Sequence, residues 1–373
     1  MRVAFLTMGN DIGGAKNDVI TLSQELLKRG HKVFVISNPG VMDRELEGTG
    51  VTFLPAPFYT RNPFGLLRAS RRLAAMIREH RIGLVNPQGM FPAAIAWLTR
   101  FGPRPCRIPL VTTIHMISSL SLYKWSWLLN IFANAVITES NCERSRLVAG
   151  GVKRGRVTVI ANSVDMERFS RRNSTPVLRR EFGLAESVPV FGIIARLSPE
   201  KRHGDFIAAA RMVRAKHPEA RFFIVGGGPC EAELRRVAEG TEPYVHFTGQ
   251  RRDVPDILRS LDCFVLASGI ESLPLSIREA MSMELPVIVT DVGGCREAVF
   301  ENVTGFVVPA AAPAAMAARM NDIIEDPERA KELGRAGRLL CARCFEVSEW
   351  GRKTEEFFRK WTKEEYEHDR KKV

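Results

Sequence analysis

A chain of 373 residues, 45% hydrophobic and 26% charged, is long enough for two domains. Its composition is too ordinary for a disordered, collagen-like or disulfide-stapled protein. Its charge is not ordinary: 54 Lys+Arg against 42 Asp+Glu leave +12, which calls for an anionic partner such as nucleic acid, a membrane surface or a phosphorylated substrate.

Short β-branched runs alternate with helical patterns along the whole chain, the signature of parallel sheets wrapped by helices. The first series of predicted strands is Val3–Thr7, Lys32–Ser37, Val51–Leu54, Gly83–Asn86, Leu110–Ile114, Ala135–Thr138 and Val157–Ile160. Helices are expected to begin near Gly14, Pro63, Gly89 and Asn141. The polar, proline-broken stretch Asp165–Ser187 reads as a linker, which predicts domains over 1–172 and 173–345. A second series follows at Val190–Ala195, Arg221–Val225, Val245–Thr248, Cys263–Leu266, Val287–Thr290 and Gly305–Val308. The tail 346–373 places Trp350, Phe357, Phe358 and Trp361 at helical spacing and is expected to pack back on the first domain. Two doubly wound domains in series bind ligands at the carboxyl ends of their strands, hence an expected cleft between them.

The positive excess lies entirely in the first half. Residues 61–107 carry nine arginines, Arg68, Arg71 and Arg72 among them, against Glu79 alone, whereas 176–373 net −1. Seven scattered cysteines and no recognisable leader predict free thiols in a reducing, cytoplasmic setting. Cys341 and Cys344 form a lone CxxC without a second ligand pair, so they read as two thiols on a helix. The most apolar stretch, 109–137, is interrupted by His115, Lys124, Asn130 and Asn134 and does not span a membrane.

Function is sought in the strand-to-helix loops. The first, Met8 to Gly14, lacks GxGxxG, and no acidic residue ends the second strand, so a nicotinamide or flavin site is disfavoured. Gly13-Gly14 either serves the turn or lets backbone N–H groups approach an anion. Lys16, in the first helical turn, opposes the helix dipole, and either meets phosphate or is solvated. Arg196 ends a strand, with Lys201 five residues on across a proline-stiffened turn. The pair either neutralises a diphosphate or is surface charge. After Cys263–Leu266, Glu271 and Glu279 flank the expected helix start at Ser272, Leu273, Pro274 and Leu275. Backbone N–H groups there suit a phosphate, and the carboxylates suit sugar hydroxyls. A glycine loop, Gly226-Gly227-Gly228-Pro229, follows its own strand. Alone, His115 at a strand end reads as a core histidine.

Taken in order, the runs Gly192 to Lys201, Val225 to Pro229, Glu271 to Glu279 and Leu285 to Gly294 resemble the retaining glycosyltransferases of family 4. Weaker landmarks at Gly13-Gly14, Arg29 to Val33 and Val159 to Asp165 extend the resemblance over nearly the whole chain. It implies the α/β GT-B fold of two Rossmann-like domains. It also implies transfer of a sugar from a UDP- or GDP-sugar to an acceptor hydroxyl with retention, by front-face attack; no acid-rich motif such as DxD is placed to hold a divalent ion, so no metal or other cofactor is expected. Arg196 and Lys201 would contact the diphosphate, Glu271 the donor sugar and Glu279 the ribose. Gly13, Gly14, Gly227 and Ser272 to Leu275 would line the donor, and His115 would lie near the transferred sugar. Two departures stand out: Ser272 where many members have glycine, and Lys16 where many have an acidic residue.

Competing readings are a GT-B phosphorylase or epimerase, and a nucleotide-sugar binding protein without turnover. Nucleic-acid binding is disfavoured, because the arginines lack interleaved aromatics. The aromatic run Tyr123 to Leu129, with Trp125 and Trp127, either sits at a bilayer interface or packs within its domain. With the arginine block it motivates an anionic membrane surface and a lipid-linked or glycan acceptor.

Overall fold

The computed structural model describes residues 1–8, 14–56, 62–101, 104–117 and 120–362. The chain forms two units, 1–162 with 347–373, and 163–346. The division therefore falls before the expected boundary at Arg172. The reason is local: the segment after Ser163 is bonded into the second unit, with Thr175 N–H donating to Asp256, Leu178 N–H to Ser260 Oγ, and Arg179 paired with Asp262 at 2.7 Å.

In the first unit, β1 (Arg2–Leu6), β2 (Lys32–Ser37), β3 (Thr52–Pro55) and β4 (Leu84–Pro87) make a parallel sheet in the order β3-β2-β1-β4. A second parallel sheet holds β5 (Val111–Ile114), β6 (Ala135–Thr138) and β7 (Val157–Val159). Single bridges, Val85 to Leu110 and Gln88 to Thr113, join β4 to the second sheet. β4 and β6 are buried along their whole length, as strands covered on both faces must be. The helix Pro63–Glu79 shows why its residues fold as they do. Asn62 caps it through Phe64 N–H at 2.8 Å, proline opens it, and Ala69, Leu73 and Ile77 recur on the buried side.

The last helix, Val347–Arg359, belongs to the first unit. Trp350 and Phe358 enter the core of β1, β2 and the helix Gly14–Lys28, and Arg29 donates to the Ser348 carbonyl at 2.5 Å.

The second unit carries β8 (Val190–Ile194), β9 (Arg221–Val225), β10 (Val245–Gly249), β11 (Cys263–Leu266), β12 (Val287–Thr290) and β13 (Gly305–Val308), all parallel, in the order β10-β9-β8-β11-β12-β13. This doubly wound order reverses direction between β8 and β11, so the loops leaving those two strands frame the place where such sheets bind ligands. Cys341 and Cys344 lie on one helix, Pro327–Cys344, the first buried and the second exposed.

Candidate active site in each unit

In the second unit the two loops at the reversal point are tied together. After β8 the chain makes a single turn at Pro199–Lys201, and Gly269 N–H, after β11, donates to the Glu200 carbonyl at 2.7 Å. Lys201 Nζ then reaches Glu271 Oε1 at 2.6 Å, and Ser268 Oγ donates to the same oxygen at 2.6 Å. Glu271 is buried, and Lys201 keeps about a fifth of its side chain exposed. Two residues that the resemblance assigned to different parts of a donor thus form one ion pair. Arg196, by contrast, is exposed, with no ion-pair partner among the described residues.

The backbone around Glu271 is braced from β12. Thr290 Oγ1 donates to the Ser268 carbonyl at 2.6 Å, and Gly294 N–H to the Ser272 carbonyl at 2.6 Å. A Cβ on Gly293, whose φ is +57°, would lie 1.8 Å from the Glu271 carbonyl oxygen. Only glycine fits there.

The helix following this loop runs Leu275–Ser282, starting later than the expected start at Ser272. Pro274, at its N-cap, has no N–H to give, and no side chain caps the end. The free donors are therefore the first-turn amides from Leu275 onward. Fully buried Arg278 donates to the Leu273 carbonyl at 3.1 Å and holds the loop from beneath. Glu279, one turn into the helix, is partly buried, and its carboxylate has no hydrogen-bond partner among the described residues. Burial pushes its carboxyl up to about 7, against the pull of Arg168 and Arg278.

The glycine loop braces the loop after β8. Gly226 and Gly228 are the sterically constrained members, since a Cβ on them would meet the Ala195 and Leu197 backbone at 2.1 and 2.4 Å. Gly227 has room for a side chain, and its carbonyl accepts from Leu197 N–H at 3.0 Å, steadying the loop that carries Arg196.

In the first unit His115 follows β5 and sits in a closed polar network. Its Nδ1 lies 2.5 Å from Glu139 Oε1 and 3.6 Å from Asp18 Oδ2, and its Nε2 lies 2.7 Å from Gln88 Oε1. Asn162 Nδ2 donates to Asp18 Oδ2 at 2.7 Å. The cavity that these side chains line is about 20 Å³, the room of a single water. Asp18, His115 and Glu139 bring three ligand-type atoms within 4.8 Å of one another. The 2.5 Å separation between Nδ1 and Oε1 is shorter than the roughly 3.3 Å between two ligands of a tetrahedral ion with ~2.0 Å bonds, so a proton fits that contact and a metal does not.

Lys16 requires correction. Rather than meeting phosphate or solvent, it is buried, with both Glu45 carboxylate oxygens at 2.7 and 2.8 Å. Glu45 lies on the short helix Val41–Leu46, absent from the expected elements. Gly14 is exposed at its helix start, while Gly13 lies outside the described residues. Arg68 and Arg71 are exposed, and Arg72 donates to the Pro55 carbonyl at 3.0 Å. Trp125 and Trp127, 49% and 43% exposed, lie on a 3₁₀ segment, Leu120–Leu128, and are about half covered.

Asp18, Gln88, Glu139 and Ser268 escaped the sequence reading. Gln88, Glu139 and Ser268 each lie just past a strand's carboxyl end, the position that would have singled them out. Asp18 carries no such mark.

Residues 12–168 match the model of Glycosyltransferase Family 4, and residues 174–340 that of Glycosyl transferases group 1. Together the two matches span most of the chain, which belongs to the family 4-like glycosyltransferases of GT-B fold. Among its relatives is the GDP-mannose-dependent alpha-mannosyltransferase of Mycobacterium tuberculosis, 27% identical over 316 residues and 80% of each chain. The 2-deoxystreptamine N-acetyl-D-glucosaminyltransferase of Streptomyces fradiae is 27% identical over 90% of each. In fold it is similar to Anabaena HepE, solved in complex with UDP-glucose, at a TM-score of 0.85 and 23% identity over 96% of this chain and 99% of that one.

Proposed function

We propose that the protein transfers a hexose from a UDP- or GDP-sugar to a hydroxyl of a lipid-linked or cell-envelope glycan, with retention at the anomeric carbon. The observation that carries the donor half is the Lys201 to Glu271 pair beside an uncapped helix start. A cation, free amides and a buried carboxylate together suit a sugar diphosphate: the positive groups take up charge growing on the departing diphosphate, while Glu271 holds sugar hydroxyls. Glu271, already engaged by Lys201 and Ser268, positions the sugar rather than attacking it, and the departing phosphate takes the acceptor's proton. With the charge met by Arg196 and Lys201, the reaction needs no metal.

Nucleotide sugars that raise the melting temperature identify the donor, and acceptor-dependent release of nucleoside diphosphate, undiminished by EDTA, is the expected result. Release without acceptor would favour a hydrolytic epimerase, sugar phosphate formed from a glycoside and inorganic phosphate a phosphorylase, and protection without turnover a binding protein. The configuration of the product, read by NMR, tests retention.

Two features of the first unit support a lipid-borne acceptor. The helix Pro63–Glu79 exposes Phe64, Leu67, Arg68 and Arg71, and Trp125 and Trp127 stand exposed on the same unit. Aromatic side chains beside fixed positive charge suit an anionic bilayer surface. None of the helices among the described residues is long and apolar enough to cross a membrane, and the seven free cysteines suit a reducing compartment, so we place the protein on the cytoplasmic face. The protein is expected to sediment with anionic vesicles at low salt, to be released at about 1 M salt, and to bind more weakly as Trp125→Ala/Trp127→Ala. Absence of binding at low salt removes the membrane from the proposal.

A further inference from the structure

The network around His115 has a direction that the resemblance does not supply. Asn86, on β4, directs one side-chain atom at the Val111 carbonyl, which only accepts, so that atom is the amide nitrogen. Thr113 Oγ1 takes the same nitrogen at 2.9 Å, leaving Asn86 Oδ1 as an acceptor. The Gln88 atom 2.5 Å from Asn86 Oδ1 is therefore its Nε2, and its oxygen is turned toward His115. Facing that oxygen at 2.7 Å, His115 Nε2 must carry a proton. A second proton lies between Nδ1 and Glu139 Oε1 at 2.5 Å. Glutamic acid is stronger than imidazolium by about two units, and Asp18 at 3.6 Å favours the cation, so this proton resides on the ring.

The geometry points to His115 as a fixed imidazolium, held by Glu139 and oriented by a relay through Asn86 and Gln88 from the Val111 carbonyl, with no lone pair for acting as a base. Its place in sugar transfer rests on the function proposed above. There it excludes His115 from taking the acceptor's proton and makes Gln88 and Glu139 positioning residues. Among the described residues, Asp18 and Glu139 are the charged groups that face the ring; the ends of β4 and β7 offer amides, from Gln88 and Asn162. Burial alone would lower the affinity of His115 for its second proton, but Glu139, by charge and hydrogen bond, and then Asp18 outweigh it, and the net direction is upward.

The test is a side-chain ¹⁵N titration of the full-length protein, with the His115 signals assigned from a His115→Asn variant. Both ring nitrogens are expected at imidazolium shifts at pH 7, with a midpoint above the ordinary 6.5. Glu139→Gln should lower that midpoint by a unit or more, a tenfold loss of proton affinity. Gln88→Leu, which removes the acceptor facing Nε2, should also lower the midpoint, by less than Glu139→Gln does. A wild-type ring with a free lone pair at pH 7 would overturn the inference, and this measurement does not depend on either variant folding. The titration is also independent of catalysis: failure of every donor in the transfer assay would remove the transferase reading and leave the protonation state standing.

Discussion

Lys201→Ala and Arg196→Ala should each lower turnover roughly 10²–10³-fold, the usual effect of removing one preorganised group that meets transition-state charge. Their effects on stability should differ. Arg196 is exposed and without an ion-pair partner among the described residues, so its loss should leave the melting temperature within about a degree. Lys201 is the partner of a buried carboxylate, and its removal strands the Glu271 charge. Breaking a buried pair costs about 3–5 kcal/mol; here Ser268 still donates to Glu271 and Lys201 is partly solvated, so ~2 kcal/mol is expected. Lys201→Ala/Glu271→Gln should recover most of that stability without recovering turnover. Thermal melts with steady-state kinetics on the four proteins decide the matter. Near-normal turnover in both single variants would remove the diphosphate role, whatever the melts show.

What could be read from the sequence follows a physical division. Strands such as Cys263–Leu266 and Val287–Thr290 announce themselves because a parallel strand covered on both faces is an unbroken apolar run. Loops between such strands and their helices are then placed by counting, which is how Arg196, Lys201, Glu271 and Glu279 came to notice. Pairing in space was not legible. Nothing at Lys16 indicates Glu45, because the six-residue helix Val41–Leu46 is too short to show a period. Nor does anything at His115 indicate Glu139 and Gln88, since the three converge only when β4, β5 and β6 lie side by side. The exposed tryptophans were ambiguous for a related reason. In a 3₁₀ segment the spacing is three residues per turn, so Tyr123 and Ser126 point inward while Trp125 and Trp127 stay out, a pattern that a 3.6-residue reading blurs.

Glu279→Gln should stabilise the free protein while weakening its hold on a nucleotide. The folded carboxyl titrates near 7 because burial disfavours its charge, whereas in the unfolded chain it titrates near the ordinary 4.5. Between those values the unfolded chain has released the proton and the native one retains it, so stability falls as pH rises through this window, and the loss is complete above it. At pH 7.5 the amide should therefore raise the melting temperature of the ligand-free protein by about 2–4 °C for each kcal/mol recovered. At pH 4.5 the gain should vanish. If this carboxylate accepts the ribose hydroxyls, as the family resemblance implies, binding must draw off its proton. Affinity for UDP or GDP should then rise from pH 6 to pH 8 with a midpoint near 7, and the glutamine variant should bind 10- to 100-fold more weakly with a flat profile, an effect of about 1.4–2.8 kcal/mol. Calorimetric titrations at three pH values read both changes together. A pH-independent wild-type affinity would separate Glu279 from the nucleotide, and an unchanged melt would show that its charge is already solvated.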